Sequence, residues 1–214
     1  MKVLLDYFKK IGWKRILMVF IGNTILAMGV SIFKFSCLGN DAYNAMLMSL
    51  SDCTKIQYGH FSALFSAGLF IIQLIWGRSY IGLGTIVNSF LSGYIVTFFY
   101  NVWLWMFELP TAFPVRFVVM FIGVVACGLG ISLYQSSNVG GSPYDFLSLV
   151  AAEKCKKIPY FWWRMLTDAT CALVAFLSGG LLGIGTLVCA FGLGPFAHFF
   201  NVHLAEKILK TSDK

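Results

Sequence analysis

The chain has 214 residues, of which 58% are hydrophobic and 12% are charged, and its mean hydropathy is +0.79. Soluble domains carry about 25% charged residues, so one water-soluble core could not bury this much apolar surface. The net charge of +7 does not indicate nucleic-acid binding, because the lysines lie at the ends of apolar runs, where membrane topology places them. We therefore expect an all-α polytopic membrane protein whose first partner is the lipid bilayer, with no nucleic-acid partner.

Residues 1–15 place apolar side chains on one helical face and lysines elsewhere. This pattern is typical of a helix lying on a membrane surface, and equally of a basic flank that orients the first span. Both interpretations put the N-terminus in the cytoplasm. The other predicted segments are a first transmembrane repeat at 16–107, a linker at 108–116, a second repeat at 117–203 and a cytoplasmic tail at 204–214.

Six apolar runs come close to the roughly 20 residues that a transmembrane helix needs. They cover residues 16–35, 61–76, 81–107, 117–134, 161–176 and 181–202. Two further apolar stretches, 42–50 and 144–152, are too short to cross a membrane as helices alone. We expect six long transmembrane helices and two short helices that are broken or re-entrant.

The two halves repeat when the sequence is shifted by 101 residues. The shift aligns Gly39 with Gly140, Tyr43 with Tyr144, Gly93 with Gly194, and the segment 82–85 with 183–186. Chance does not readily align glycines in order at one spacing, so we infer two homologous repeats of about 100 residues. Each repeat is expected to contain a long, a short and two further long helices.

Matching signals open the two short helices. In the second half, Ser142 suits the N-cap, Pro143 suits the first helical position, and Asp145 suits a capping box. Asp41 with Asn44 is a weaker copy, and the glycines before each cap allow turns with positive φ. The unpaired N–H groups of a helix that starts within a membrane suit an anionic group.

Broken helices at matching positions in two repeats indicate a transporter's binding site near the membrane midplane. We therefore predict a substrate-binding site where the two helix starts approach each other. Its candidate residues are Gly39, Asn40, Asp41, Asn44, Gly140, Gly141, Ser142 and Asp145. The alternative is that the polar side chains only cap helices at the membrane interface, because such caps are common.

Two Gly-x-Gly-Thr segments are expected to open the last helix of each repeat. Glycines there let helices approach closely, and the threonine can cap the helix. No lysine follows, so these segments are not phosphate loops. A proline later in the final span is compatible with a hinge and with simple packing. The packing and hinge candidates are Gly84, Thr85, Gly185, Thr186, Gly194 and Pro195.

Few charges lie within the apolar runs. Arg164 and Asp168 are four residues apart on one helix face and can pair with each other, and Lys34 can extend to the membrane interface. The histidines show no metal-binding spacing, and no nucleophile has a base at a recognisable spacing. We expect no catalytic residue, no metal and no cofactor, and we do not expect an enzyme.

The sequence leaves two membrane topologies open. If the short helices dip in and return, each repeat crosses three times and the halves are inverted. If each short helix completes a crossing, each repeat crosses four times and the halves are parallel. Both arrangements keep most lysines and arginines in the cytoplasm, but they place the loop that holds Cys53 on opposite sides.

The short-helix motifs, the Gly-x-Gly-Thr pair and the segment Phe-Gly-Leu-Gly-Pro at 191–195 resemble the YczE/YyaS/YitT group of bacterial integral membrane proteins. The resemblance is closest to the YczE type and runs from about residue 16 to residue 203. The Gly-Pro-x-Asp motif of this family is matched by Ser142-Pro143-Tyr144-Asp145, with serine in place of glycine. In the first half, Ala42 and Asn44 replace its proline and aspartate. The resemblance implies a bacterial inner-membrane protein and no particular substrate.

These patterns favour a bacterial inner-membrane transporter or permease for an unidentified small molecule, with both termini in the cytoplasm. The rival interpretation is a membrane binding subunit or assembly factor that moves nothing itself, and an intramembrane enzyme acting on lipid is third. A homo-oligomer and a partner membrane protein are both compatible with the sequence.

Overall fold

The computed structural model describes residues 12–155, 157, 160–180 and 182–210. The described residues form eight principal helices and no strand, which confirms the all-helical prediction for them. The helices are α1 Trp13–Ser36, α2 Ala42–Thr54, α3 Tyr58–Trp76, α4 Leu83–Met106, α5 Phe113–Ser136, α6 Pro143–Lys154, α7 Tyr160–Leu177 and α8 Ile184–Phe200. Most of the predicted surface segment at 1–15, and the end of the predicted tail, lie outside the described residues.

Short helical turns complete the described chain. A 3₁₀ turn, Arg78–Tyr80, precedes α4, and a π-helical turn, Asn201–Ala205, joins α8 to a final short helix, α9 Glu206–Lys210. Pro195 lies inside α8, and the helix continues past it.

Five of the described helices are long and apolar enough to cross a membrane. They are α1, α3, α4, α5 and the helical stretch Ile184–Ile208. The remaining predicted span, 161–176, forms α7, which is not among the five helices that are long and apolar enough to cross a membrane. Arg164 and Asp168 lie inside α7 and lower its hydropathy, so composition alone does not mark it as a span.

The linker between the halves is shorter than the sequence predicts. α5 begins at Phe113, inside the predicted linker at 108–116, with Pro114 in its first turn. Proline is tolerated there because the first N–H groups of a helix have no intrahelical partner. Arg116 then donates hydrogen bonds to the carbonyl oxygens of Ser36 and Cys37 at the end of α1, which also lack intrahelical donors.

Glycines hold α1 and α5 side by side, and their contacts fix the direction of the pair. Gly22, early in α1, lies against Gly130, late in α5, whereas Gly29, later in α1, lies against Gly123, early in α5. A Cβ at Gly22 would lie 3.0 Å from the Gly130 oxygen, and a Cβ at Gly29 would lie 3.1 Å from the Gly123 oxygen. The two helices are therefore antiparallel.

α4 runs parallel to α1. The side-chain oxygen of Asn23 accepts hydrogen bonds from the Asn88 side-chain N–H at 3.1 Å and from the Ser92 hydroxyl at 2.8 Å. Further along both helices, the Trp103 indole N–H donates to the Ser31 hydroxyl at 2.9 Å. The contacts advance along both helices in the same order, so the two helices point the same way.

α3 runs antiparallel to α4. Gly59, at the start of α3, lies against Thr97 late in α4, whereas Phe70, late in α3, contacts Phe90 earlier in α4, with ring centroids 6.2 Å apart. We call the end of the molecule where α1 begins the N face and the end where α1 finishes the C face. α3 therefore begins at the C face and ends at the N face.

α8 runs parallel to α5. Gly128 packs against Phe196, and further along both helices the Ser136 hydroxyl donates to the Asn201 side chain at 2.7 Å. Both helices begin at the C face and end at the N face.

The short helices cross between the halves. α2 packs against α7, and α6 packs against α3. At the C face, the Cys53 thiol in α2 donates to the carbonyl of Ser178, just after α7, at 3.4 Å. At the N face, the Lys154 ammonium at the end of α6 lies 4.9 Å from the ring centroid of Trp76, at the end of α3. α7 therefore ends at the C face, like α1.

The Gly-x-Gly-Thr segments open α4 and α8, as predicted. Gly82 and Gly183 are the N-cap residues, and their N–H groups donate to the hydroxyls of Thr85 and Thr186 at 3.2 and 3.4 Å. Each threonine thus satisfies a backbone N–H that the helix start leaves without a partner.

Each of these helix starts also bonds to the other half of the chain. The Gly84 N–H donates to the Val139 carbonyl, and the Gly185 N–H donates to the Leu38 carbonyl, both at 2.8 Å. Both carbonyls belong to the segments that lead into the short helices, so each short helix is attached to a long helix of the opposite half.

We expect Gly185→Ala to destabilise the protein. A Cβ at this position would lie 2.9 Å from the carbonyl oxygens of both Leu38 and Gly39, so α8 would have to move away. Overpacking of this kind costs about 1–3 kcal/mol. The melting temperature of the purified protein in detergent should fall accordingly.

The matched control is Gly194→Ala on the same helix, where a Cβ meets nothing within 4 Å. This change should leave the melting temperature unchanged or raise it, because alanine favours a helix over glycine. Equal melting temperatures for the two variants would contradict the packing role of Gly185.

Candidate binding site

The starts of α2 and α6 lie side by side, as the sequence predicts. Tyr43 and Tyr144, in the first turns of the two helices, stack with their ring centroids 4.4 Å apart. The side-chain N–H of Asn40 donates to the Val30 carbonyl at 3.2 Å, which lies about 9 Å before the end of α1 at 1.5 Å per residue. The chain after α1 therefore turns back alongside it, and α2 starts level with the interior of α1.

Two glycines make this return possible. Gly39 and Gly140 have φ angles of 106° and 102°, which confirms the predicted positive-φ turns. A Cβ at either position would also lie 2.7–2.8 Å from a threonine hydroxyl at the start of a long helix, Thr186 or Thr85. A Cβ at Gly141, in contrast, would meet nothing within 4 Å, so its side of the turn is open.

Side chains of the chain itself occupy both helix starts. The Asp41 carboxylate accepts the Asn44 backbone N–H at 3.0 Å and the Asn44 side-chain N–H at 2.7 Å, so the cap predicted to be the weaker one has two bonds. The Ser142 hydroxyl accepts the Tyr144 N–H at 3.3 Å. Asp145 does not close a capping box, because its carboxylate pairs with Arg164 on α7.

Arg164 is the centre of a charged cluster. It contacts the carboxylate of Asp145 and, at 3.3 Å, that of Asp168, which confirms the predicted pairing of Arg164 with Asp168. The Tyr144 hydroxyl donates to Asp168 at 2.5 Å, and the guanidinium carbon lies 4.7 Å from the Tyr144 ring centroid. The tyrosine of the stack is therefore tied directly to the charges.

Uncharged side chains make hydrogen bonds around the start of α2. The Tyr43 hydroxyl lies 3.3 Å from the Ser66 hydroxyl, and the Tyr58 hydroxyl donates to Asn44 at 2.6 Å. A shift of 101 or 102 residues carries these positions onto those of the charged cluster: Asn44 onto Asp145, Ser62 onto Arg164, and Ser66 onto Asp168. The residues at the aligned positions of the first half are uncharged, whereas those of the second half are charged.

The charged cluster is more open than its neutral counterpart. The side chains of Asp145, Arg164 and Asp168 are 23%, 33% and 31% exposed, whereas Ser62 and Ser66 are both 6% exposed. α3 packs along α4, but among the described residues no comparable contact joins α7 to α8. In the part of the chain that the structure describes, α7 therefore packs less closely on α8 than α3 does on α4.

The balance of charge opposes an anionic ligand. Asp145 and Asp168 both pair with Arg164, so two carboxylates meet one guanidinium. The helix-start N–H groups that predicted an anion are capped by Asp41 and Ser142. Within the described ranges, no three His, Cys, Asp or Glu side chains are grouped as metal ligands.

Sequence reasoning missed the tyrosines of this site. Tyr43 and Tyr144 align when the sequence is shifted by 101 residues. That alignment was the one signal that could have marked them as site residues, because helix capping gives an aromatic residue at a helix start no role. Their contact depends on how the two halves face each other, which residue spacing within one half does not reveal.

Five helices of span length indicate a helical membrane protein. A family of unknown function, DUF6198, matches residues 13–202, and the chain belongs to this family. No solved structure matches the chain.

Three relatives cover most of the chain. It is 28% identical over 185 residues to the uncharacterized protein YyaS of Bacillus subtilis, covering 84% of this chain and 89% of the relative. It is 28% identical over 183 residues to the uncharacterized membrane protein YczE of the same organism, covering 84% and 82%. An uncharacterized protein of Haemophilus influenzae is 25% identical over 190 residues, covering 88% and 84%. The resemblance drawn from the motifs is confirmed.

We expect Arg164→Ser to destabilise the protein, because it leaves two carboxylates together without their cation. The loss should be about 1–3 kcal/mol, less than for a fully buried pair because solvent screens the charges. A triple variant restores neutrality by copying the first half: Asp145→Asn, Arg164→Ser and Asp168→Ser. Thermal unfolding in detergent should show the triple variant to be more stable than Arg164→Ser alone, and the reverse order would refute the charge argument.

Proposed function

We propose that the chain is a small-molecule transporter or permease of the bacterial inner membrane, with its binding site at the starts of α2 and α6. The observation that carries this proposal is the Tyr43–Tyr144 stack, which joins two helix starts beside a charged cluster. Charged side chains within a membrane are costly and are characteristic of substrate and ion pathways. Discontinuous helices at matching positions are typical of transporter binding sites.

The two halves are, in this proposal, inverted repeats with six crossings. The helices of the second half begin 100 to 102 residues after those of the first: 13 and 113, 42 and 143, 58 and 160, 83 and 184. The antiparallel packing of α1 and α5 supports inversion, because parallel halves require these two helices to point the same way. α2 and α6 are then re-entrant, since each begins in the interior and ends at the face from which its segment entered.

The basic residues support a cytoplasmic N face and, with it, cytoplasmic termini. The described lysines and arginines near the N face are Lys14, Arg15, Arg78, Lys154, Lys157 and Lys207. Those near the C face are Lys34, Lys55 and Arg116. Positively charged residues are enriched in cytoplasmic loops, and α1 begins at the same face at which α8 ends.

The difference between the halves supports an alternating-access cycle. In the first half α3 packs on α4, and among the described residues of the second half α7 makes no comparable contact with α8. Because the two halves share one architecture, each can adopt the arrangement of the other. If the two halves exchanged arrangements, α7 would pack on α8, and α3 would separate from α4. The site between the two helix starts would then be open to the opposite side of the membrane.

The charge of the site supports a neutral or cationic substrate. Asp145 and Asp168 outnumber Arg164, and tyrosine faces attract cations. The substrate class therefore departs from the anion that the helix starts alone suggested.

Distances between pairs of spin labels, measured on the protein in liposomes, test whether the two halves exchange arrangements. The measurement does not require the substrate to be known. The label pairs occupy equivalent, exposed positions: Ile71 with Ile86 across α3 and α4, and Leu173 with Leu187 across α7 and α8. Each pair should show two distances, mostly the shorter one for the first pair and mostly the longer one for the second. A condition that shifts one pair should shift the other in the opposite direction.

The control pair is Ile21 with Ile122, which lie on α1 and α5 and are also exposed. It should give one distance under all conditions, because the glycine contacts hold these helices together. A single, unchanging distance for each of the two test pairs would reject alternating access and favour a membrane binding subunit that transports nothing.

A further inference from the structure

A pocket of about 400 Å³ opens at the C face, where α1 and α2 end and α3 begins. Its volume is within the range of about 300–1,000 Å³ that is typical of small-ligand sites. The lining residues are Lys34, Ser51, Asp52, Lys55, Ile56, Gln57 and Tyr58. The pocket is distinct from the site between the two helix starts.

The sequence suggests that Lys34 extends to the membrane interface. In the structure its ammonium group also lies against two tyrosine rings. Its ammonium lies 4.4 Å from the ring centroid of Tyr100 and 5.8 Å from that of Tyr58. No carboxylate of the described residues lies within 4 Å of it, and Asp52 attracts it only from a greater distance. The aromatic faces hold this charge in place and leave it available to a ligand.

Two further features make the pocket positive. Lys55 is exposed at its rim and has a left-handed backbone, with φ of 57°. α3 begins at Tyr58 with no side-chain cap, and Gln57 and Tyr58 line the pocket, so the positive end of the helix dipole lies at the pocket. Two ammonium groups and a helix start therefore oppose the single carboxylate of Asp52.

Two carbonyl groups at and just beyond the end of α2 accept hydrogen bonds from the chain itself. The Lys55 N–H donates to the Asp52 carbonyl at 3.4 Å, and the Ser51 hydroxyl donates to the Ile56 carbonyl at 2.6 Å. These acceptors are already satisfied by the chain, whereas the donors at the start of α3 have no side-chain partner.

We propose that this pocket binds a phosphate group, either in the headgroup of an anionic lipid or in a soluble phosphate ester. A phosphate presents oxygens in several directions, so it can meet Lys34, Lys55 and the start of α3 together, whereas a carboxylate presents two oxygens in one plane. Tyr58 links this pocket to the central site, because its ring faces Lys34 and its hydroxyl bonds to Asn44. The proposal does not depend on transport.

Thermal stabilisation of the full chain in lipid-free detergent tests the proposal in two arms. The first arm adds phosphatidylglycerol, with a galactolipid that lacks phosphate as its control. The second adds glycerol 3-phosphate, with glycerol at matched ionic strength as its control. Stabilisation in the first arm alone assigns the site to a lipid headgroup, and stabilisation in the second arm assigns it to a soluble ester.

The variants are Lys34→Gln, Lys55→Gln and a matched control, Lys14→Gln, at the exposed opposite end of α1. Apparent affinity should fall about tenfold in Lys34→Gln and about threefold in Lys55→Gln, because a charge-assisted contact is lost. It should stay unchanged in Lys14→Gln. Lys55 is exposed, so its variant remains informative even if Lys34→Gln does not fold.

Three results would overturn the proposal. The first is the absence of wild-type stabilisation in both arms. The second is equal affinity in wild type and in the folded Lys34 and Lys55 variants. The third is an equal loss in Lys14→Gln, which would mean that phosphate is attracted only by overall positive charge.

Discussion

Gly22 and Gly29 of α1 meet Gly130 and Gly123 of α5 so closely that a larger side chain at any of these points would strike the opposite helix. In a membrane, helices gain little from burying apolar surface, because lipid is equally apolar, so close backbone contact is a main source of association. The contact fixes both the distance and the antiparallel direction of α1 and α5. The positions of the other helices follow from it, since α4 is bonded to α1 and α8 to α5.

The antiparallel pair of α1 and α5 brings the two halves close enough for backbone groups of one half to bond to the other. The segment before each short helix supplies a carbonyl to the start of a long helix in the opposite half, through Val139 and Leu38. A lipid bilayer offers no water that could bond to these N–H and carbonyl groups. Without the other half, each half would therefore leave these groups unpaired in the membrane interior. The short helices, their capped starts and the stacked tyrosines therefore depend on the antiparallel pair.

The sequence predicts the elements of the fold better than their partners. Glycine and threonine at 82–85 and 183–186 mark helix starts because their roles are local, and positive φ at Gly39 and Gly140 follows from the same reasoning. The start of α5 is missed because Pro114 is read as a loop residue, although proline suits the first turn of a helix. Each of these features is decided by a few neighbouring residues.

The chemistry of the site is less predictable because it is assembled from distant residues. A spacing of four residues reveals the pair of Arg164 with Asp168, but Asp145 lies on another helix, and capping rules assign it a different bond. The same local rules favour an anion at the helix starts, whereas the cluster of carboxylates opposes one. Whether the helix-start N–H groups or the carboxylates dominate the site is decided by the relative placement of α2, α6 and α7.

Side-specific labelling of single cysteines tests the inverted arrangement most directly. Cys53 and Cys155 are both exposed, and they lie at opposite faces, Cys53 in the last turn of α2 and Cys155 directly after α6. A membrane-impermeant maleimide should label the variant that keeps only Cys53 in intact cells, and the variant that keeps only Cys155 after permeabilisation alone. Labelling of both cysteines from the same side would contradict the inverted halves and the central site built on them.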